Sequence, residues 1–349
     1  MKKTMLSIAL AACGLIMLAG TGSAVADSSL PNNLRIVIGS KSTGGDTYQN
    51  TAIVAEALAE KLGINVKVDA VGATAAFNTL GRVSNGSVVM MFHDQAYLGY
   101  LYQQKGYENP FDAYRIGPAV AINPGNAYLV AKNSPYQNIE ELMSACANGT
   151  DIRVAIQPGG VSEIGYSALK NAIRIQHPGK EGCLVAVNRG SQSDKNQAMF
   201  DGLADLINGS VQANEQYTRL PADDQKAMRF VWLTARAKTI EQANPEGMGE
   251  TSRDDLLKYV DPNVSVTQDG TKNFTFDKEF FFLYNKDMDP AQIAAIDKAL
   301  SEIFADGKIQ ETQKKSFFIP DFMPSAESAS YFKDKMDQYD VILKALHQQ

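Results

Sequence analysis

Along most of this chain, short apolar runs alternate with segments whose apolar positions recur every three or four residues. The first run, Leu34-Arg35-Ile36-Val37-Ile38-Gly39, reads as a buried-type strand that ends in glycine. After a polar loop, Ile53, Val54, Ala57, Leu58 and Leu62 fall at helical spacing, and Gly63 stands where a helix stops. Residues 65–71 alternate as a second strand, 75–83 are helical, and 87–92 form a third strand entering a loop at His93-Asp94-Gln95. The second half repeats the pattern. Strands are predicted over 126–131, 153–156, 184–187 and 230–234. Helices follow Asn138, a capping residue with Glu141 three positions on, and Ser162, the latter reaching about 175. A further helix is expected from the 188–193 loop to about 208. An aromatic strand over 274–283 and helices near 290–304 and 328–346 close the chain. Strand-helix-strand order implies right-handed crossovers, so the pattern predicts an α/β protein with mostly parallel sheets flanked by helices.

Composition adds a compartment. With 44% hydrophobic and 21% charged residues, disorder, collagen-like repeats and a polytopic membrane protein are excluded. Met1-Lys2-Lys3 is a short positive region, residues 5–18 are apolar except for Ser7, Cys13 and Gly14, and Ala24-Val25-Ala26 places small residues at a cleavage site. That is a secretory signal cut after Ala26, which predicts a periplasmic protein. A membrane anchor needs about 20 apolar residues; this run is shorter and is followed by Gly20-Thr21-Gly22-Ser23. Leu10-Ala11-Ala12-Cys13 also resembles a lipoprotein box with Cys13 lipidated, although apolar residues continue for another turn beyond it. At roughly 150 residues per domain, the remainder predicts two domains. The 33 Lys+Arg against 39 Asp+Glu give a net charge of −6, or −8 once Lys2 and Lys3 leave. An acidic surface repels phosphate backbones and anionic lipids, so neither nucleic acid nor a membrane surface is expected as partner.

Two cysteines, Cys146 and Cys183, remain after the signal. In an oxidising compartment such an isolated pair predicts a disulfide rather than a metal site, because no histidine or further cysteine stands at ligand spacing. Neither a metal nor a cofactor is expected.

The candidate chemistry lies in three strand-to-helix turns. Free N–H groups of a helix's first turn carry about half a positive charge, so such turns hold carboxylates without a cationic protein. In Ser40-Lys41-Ser42-Thr43-Gly44-Gly45-Asp46-Thr47-Tyr48 the glycines let the backbone approach a ligand, while Asp46 or Thr47 could cap the helix. Gln157-Pro158-Gly159-Gly160-Val161-Ser162 repeats the device, and Arg189-Gly190-Ser191 adds a guanidinium that could fork onto a carboxylate. Glycine turns also serve simply as connections. Phosphate-loop, dinucleotide and nucleophile-elbow signatures are all absent from the sequence. His93, His177 and His347 are far apart; His93-Asp94 reads as a pocket-lining or turn-capping pair, with a catalytic pair as the alternative.

These residues resemble the periplasmic solute-binding proteins of tripartite tricarboxylate transporters, the TctC/Bug-like group. The likeness runs over nearly all of the chain after the signal. It rests on the strand-Gly-Gly-helix opening, on Asn133-Ser134-Pro135-Tyr136-Gln137-Asn138-Ile139-Glu140-Glu141-Leu142, on Ala204-Asp205-Leu206-Ile207-Asn208-Gly209-Ser210-Val211 and on the closing Phe318-Ile319-Pro320. It implies a two-lobed Venus-flytrap receptor (type II) that is not an enzyme. One lobe would be 30–130 plus 274–349 and the other 131–273. They would close as a monomer on a small organic carboxylate and present it to membrane transporter subunits. The ligand-holding loops then map to 40–48 and 157–162, with Arg189, Gly190 and Ser191 beside them and His93-Asp94 at a third strand end. Two features depart from the family: Gly39-Ser40-Lys41-Ser42 replaces proline and aromatic residues after the first strand, and an insertion occupies 247–270. A sensory receptor and a secreted enzyme using His93-Asp94 are the other readings.

Overall fold

The computed structural model describes residues 30–347; the signal segment expected over residues 1–26 and the lipidation expected as an alternative at Cys13 lie outside them. Eleven strands are present among the described residues: β1 (Asn33–Ile38), β2 (Asn65–Ala70), β3 (Val88–His93), β4 (Tyr114–Asn123), β5 (Ala127–Ala131), β6 (Ile152–Ile156), β7 (Leu184–Asn188), β8 (Leu206–Gly209), β9 (Met228–Leu233), β10 (Lys278–Asn285) and β11 (Ile319–Met323). They form two sheets, ordered β11-β4-β10-β3-β1-β2 and β7-β6-β8-β5-β9, each flanked by helices, so the molecule is two-lobed and α/β.

Both sheets are mixed rather than mostly parallel. β1 runs parallel to β2 and β3, as the strand-helix-strand rhythm predicts, but β10 is antiparallel to β3 and β4, and β11 to β4. In the second sheet β6 is parallel to β7 and β8, whereas β5 is antiparallel to β8 and β9. Every antiparallel pair includes β4, β5, β9 or β10, the strands between which the chain passes from one sheet to the other, and β4 is followed by β5 with no helix between them. The chain leaves the first sheet at Asn123 and enters the second at Ala127. It leaves again at Leu233 and rejoins at Lys278.

Where the two crossings meet, the backbone is packed tightly. Phe276 N–H donates to Thr234 O (2.6 Å), Thr234 N–H to Asn126 O (2.9 Å), and Asn126 N–H to Thr234 Oγ1 (2.8 Å). Gly125 sits there at φ +59°, and a Cβ on it would lie 2.4 Å from Phe276 O and 2.6 Å from Ala235 N. Only glycine fits both demands. Behind this crossing an aromatic chain joins the lobes. Trp232 stacks on Tyr128 at 4.8 Å and meets Phe274 at 6.1 Å; Phe274 meets Tyr339 (5.9 Å), which stacks on Tyr97 (6.4 Å). Tyr339 belongs to the C-terminal helix Ser325–His347, which packs on both β4 and the helix Val161–Gln176.

Two local expectations meet their geometry. Asn138 Oδ1 caps the helix Ile139–Ala147 by accepting from Glu141 N–H (2.8 Å), while Glu141 returns a carboxylate to Gln137 N–H (2.8 Å). Cys146 and Cys183 form a disulfide that ties this helix to the turn before β7. The helix expected to reach 208 instead ends at Phe200. Gly202 turns the chain at φ +67°, and 206–209 become the short inner strand β8.

Candidate ligand-binding cleft

Between the sheets lies a cleft of about 810 Å³. The first lobe contributes the turn before the helix Asp46–Leu62 and the end of β3. The second contributes the turn before Val161–Gln176 and the start of the helix Gln192–Phe200. Of the residues singled out in the sequence, Ser40, Ser42, Gly44, Gly45, Asp46, Thr47, His93, Gln157, Gly159, Val161, Ser162, Gly190 and Ser191 line this cleft together. Thr43, Tyr48, Asp94, Gly160 and Arg189 are not part of its wall. The Arg189 guanidinium donates instead to the neighbouring Asn188 O (2.9 Å).

The expected backbone donors are partly in use. Thr47 N–H donates to Asp46 Oδ1 (2.7 Å), and Gly44 N–H to Ser42 Oγ (3.2 Å). In the second turn Gln157 N–H donates to Ser162 Oγ (2.9 Å) and Gly159 N–H to Glu163 Oε2 (2.5 Å). Val161 N–H donates across the cleft to Gln95 Oε1 (3.0 Å), and Gln95 Nε2 donates back to Gly159 O (2.8 Å). The carboxamide of Gln95 thus occupies a helix-start amide that the sequence offered to a ligand, and it bridges the two lobes. A side chain at Gly160 would strike it, since a Cβ there falls 1.9 Å from Gln95 Oε1. Gln95→Ala is therefore expected to remove the bridge at a cost of roughly 1–3 kcal/mol. It should also widen the ligand-free molecule in small-angle scattering; an unchanged radius of gyration would show that the bridge does not hold the lobes.

Among the described residues, the cleft wall carries Lys41, Lys195 and Lys278 against a single carboxylate, Asp46. Asp46 is paired with Lys278 and accepts from Asn123 Nδ2 (2.6 Å). Burial alone would raise its pKa, but Lys278 together with His93 and the Asn123 hydrogen bond outweighs burial and brings it to about 2. His93 is buried, and burial together with Lys278 holds its imidazole well below its ordinary value and hence neutral. Its Nδ1 accepts from Gln95 N–H (3.2 Å).

Asp94 belongs to the core rather than to the cleft. It is fully buried and accepts from Tyr97 Oη–H, from Glu279 N–H (2.7 Å) and from Lys335. Among the described residues no hydrogen bond joins it to His93, whose Nδ1 faces Gln95 instead. No group of three or more His, Cys, Asp or Glu residues is arranged to hold a metal among the described residues.

The sequence reading missed Lys195. It stands on the helix Gln192–Phe200, which is polar almost all round. A signal was nonetheless present: Lys195, Ala198 and Met199 are spaced i, i+3, i+4, so the face that buries the last two buries the lysine as well.

The fold assembled here is that of two-lobed solute-binding proteins. Solved structures with the same architecture include a TctC solute-binding protein from Polaromonas without ligand (TM-score 0.61, 12% identity, 90% of this chain and 98% of that one). Others are an R. palustris protein with adipate (0.65, 12%, 90% and 98%) and MatC from Rhodopseudomonas palustris with bound malate (0.58, 13%, 89% and 98%). No protein-family profile and no curated protein matches the sequence.

Proposed function

We propose that this protein is an exported solute-binding receptor that closes its lobes on a small organic carboxylate and delivers it to the membrane subunits of a tripartite tricarboxylate-type transporter. The observation that carries this reading is the charge of the cleft. In a net-acidic chain, the inter-lobe wall gathers three lysines around one carboxylate that is already neutralised. A concave site focuses such an excess onto an anionic ligand. The shared architecture supports the reading, since the relatives' solved ligands include malate and adipate. Lobes of 30–130 plus 274–349 and of 131–273 would move about the crossing at Gly125 and Thr234, and closure is what a membrane partner would sense. The chain itself binds rather than transforms, as a periplasmic monomer freed from residues 1–26.

Thermal unfolding in the presence of malate, adipate and other di- and monocarboxylates tests the binding step. One acid is expected to raise the melting temperature progressively with its concentration. Absence of any shift, together with native mass spectra showing no retained small acid, would sink the carboxylate reading. Uptake of the best ligand by cells lacking the protein then tests delivery.

A further inference from the structure

Lys195 is the cation of the cleft that the chain does not answer. Lys278 on the opposite wall is paired with Asp46, and Lys41 is exposed to water, whereas Lys195 is only 3% exposed. Its Nζ donates to Asn208 Oδ1 (2.8 Å) and Ser162 Oγ (3.1 Å), two neutral groups, and among the described residues no carboxylate forms an ion pair with it. Asn208 is held for this role. Its Nδ2 donates to Ser162 O and to Tyr128 Oη (3.2 Å), which turns its carbonyl oxygen toward the ammonium. Two bonds leave one ammonium N–H unspent in a residue that lines the cavity. Burying a lysine without a counter-charge is costly, and the arrangement is stable as built only if the charge finds a partner or leaves.

Resting on the receptor reading above, we propose that Lys195 is the charged anchor of the site, forming an ion pair with a carboxylate of the bound solute. The anchor comes from the second lobe, so a solute held by it and by the first-lobe turn at 40–47 spans the cleft. Binding is then coupled to a proton. In the empty cleft, burial and the nearby charge of Lys278 lower the Lys195 ammonium to about 7, and an arriving anion holds it charged. The other groups in play are Asp46, neutralised by Lys278, and neutral His93. Glu163, one residue from Ser162, accepts from Gly159 N–H, and Asp194 lies on the same helix as Lys195.

The test compares wild type with Lys195→Met, whose native fold is first checked by circular dichroism. Calorimetric titration with adipate and malate at pH 6 is expected to show the variant binding roughly 10–150-fold more weakly, the range for a charged hydrogen bond. Above pH 7 wild-type affinity should fall toward tenfold per pH unit while the variant's stays flat. Equal affinity in the two proteins would overturn the anchor and leave the receptor reading standing. Where wild type binds neither acid, the side-chain resonance of Lys195 in protein carrying 13C-lysine, assigned by its loss in Lys195→Met, is followed with sulfate. A sulfate-induced rise of its titration midpoint upholds an anion anchor and overturns the carboxylate class. No movement with any of the three anions overturns the anchor itself.

Discussion

Lys335→Met is expected to lower the stability of the folded protein by roughly 3–5 kcal/mol, the usual cost of removing one partner from a buried ion pair. That corresponds to a fall in melting temperature of roughly 5–7 °C for a protein of this size. Lys335 lies on the C-terminal helix with 7% of its surface exposed, and its ammonium contacts Asp94, Glu279 and the Asp277 carbonyl. The two carboxylates are 0% and 1% exposed. Burial works against the lysine's charge, but Asp94 and Glu279 outweigh it and keep the ammonium well above its ordinary value. Arg236 completes the network through Asp277 (2.5 Å) and Glu279 (2.9 Å), and Tyr331 Oη–H donates to Glu279 (2.6 Å). Methionine fills nearly the same volume, so the loss comes from leaving two carboxylates short of a cation rather than from a cavity. Adding Asp94→Asn should therefore recover part of the loss, giving a non-additive double-mutant cycle in urea unfolding. Strict additivity, or a cost below about 1 kcal/mol, would show that the network does not weld the C-terminal helix to the crossing.

That network also marks where sequence reading stops. Asp94 stood beside a histidine at a strand end, which is the grammar of a site. Its cation, however, is 241 positions away on a helix whose lysines look like a solvated face. Local periodicity carries no information about such a pairing. The same limit hid β4, the strand between β10 and β11. Gly117-Pro118 interrupts its apolar run and argues against a strand. In the fold Gly117 is needed because a Cβ there would lie 2.7 Å from Phe282 Cβ, and the β10 pairing slips in register as it passes this segment. By contrast β1, β2 and β3 were legible, because each is an uninterrupted apolar or alternating run with a glycine or polar turn behind it. Residues of all three glycine turns line one cleft, so composition at strand ends is what brought them to notice. It did not give the electrostatics. The helix-start amides are largely met by Asp46, Ser162, Glu163 and Gln95, and the unpaired charge belongs to Lys195, one turn beyond the motif.

Replacing both Cys146 and Cys183 with alanine is expected to cost roughly 3–4 kcal/mol, the chain entropy released when a loop of this length opens. The sulfurs close a separation of 37 residues, and that loop holds β6 and the helix Val161–Gln176, whose first turn lines the cleft. The bridge thus limits the unfolded excursions of the segment that presents Ser162 to Lys195, and it does so from the far end of the helix. Because it acts chiefly on the unfolded chain, affinity measured well below the melting temperature should change little while the urea midpoint falls. Reducing the wild type with dithiothreitol should reproduce the variant's midpoint. A reduced wild type as stable as the oxidised one would show that the bridge contributes nothing. The same chemistry reports on location: protein recovered after export should show no reactive thiol on denaturation, whereas protein retained in a reducing cytoplasm should show both and unfold at the variant's midpoint.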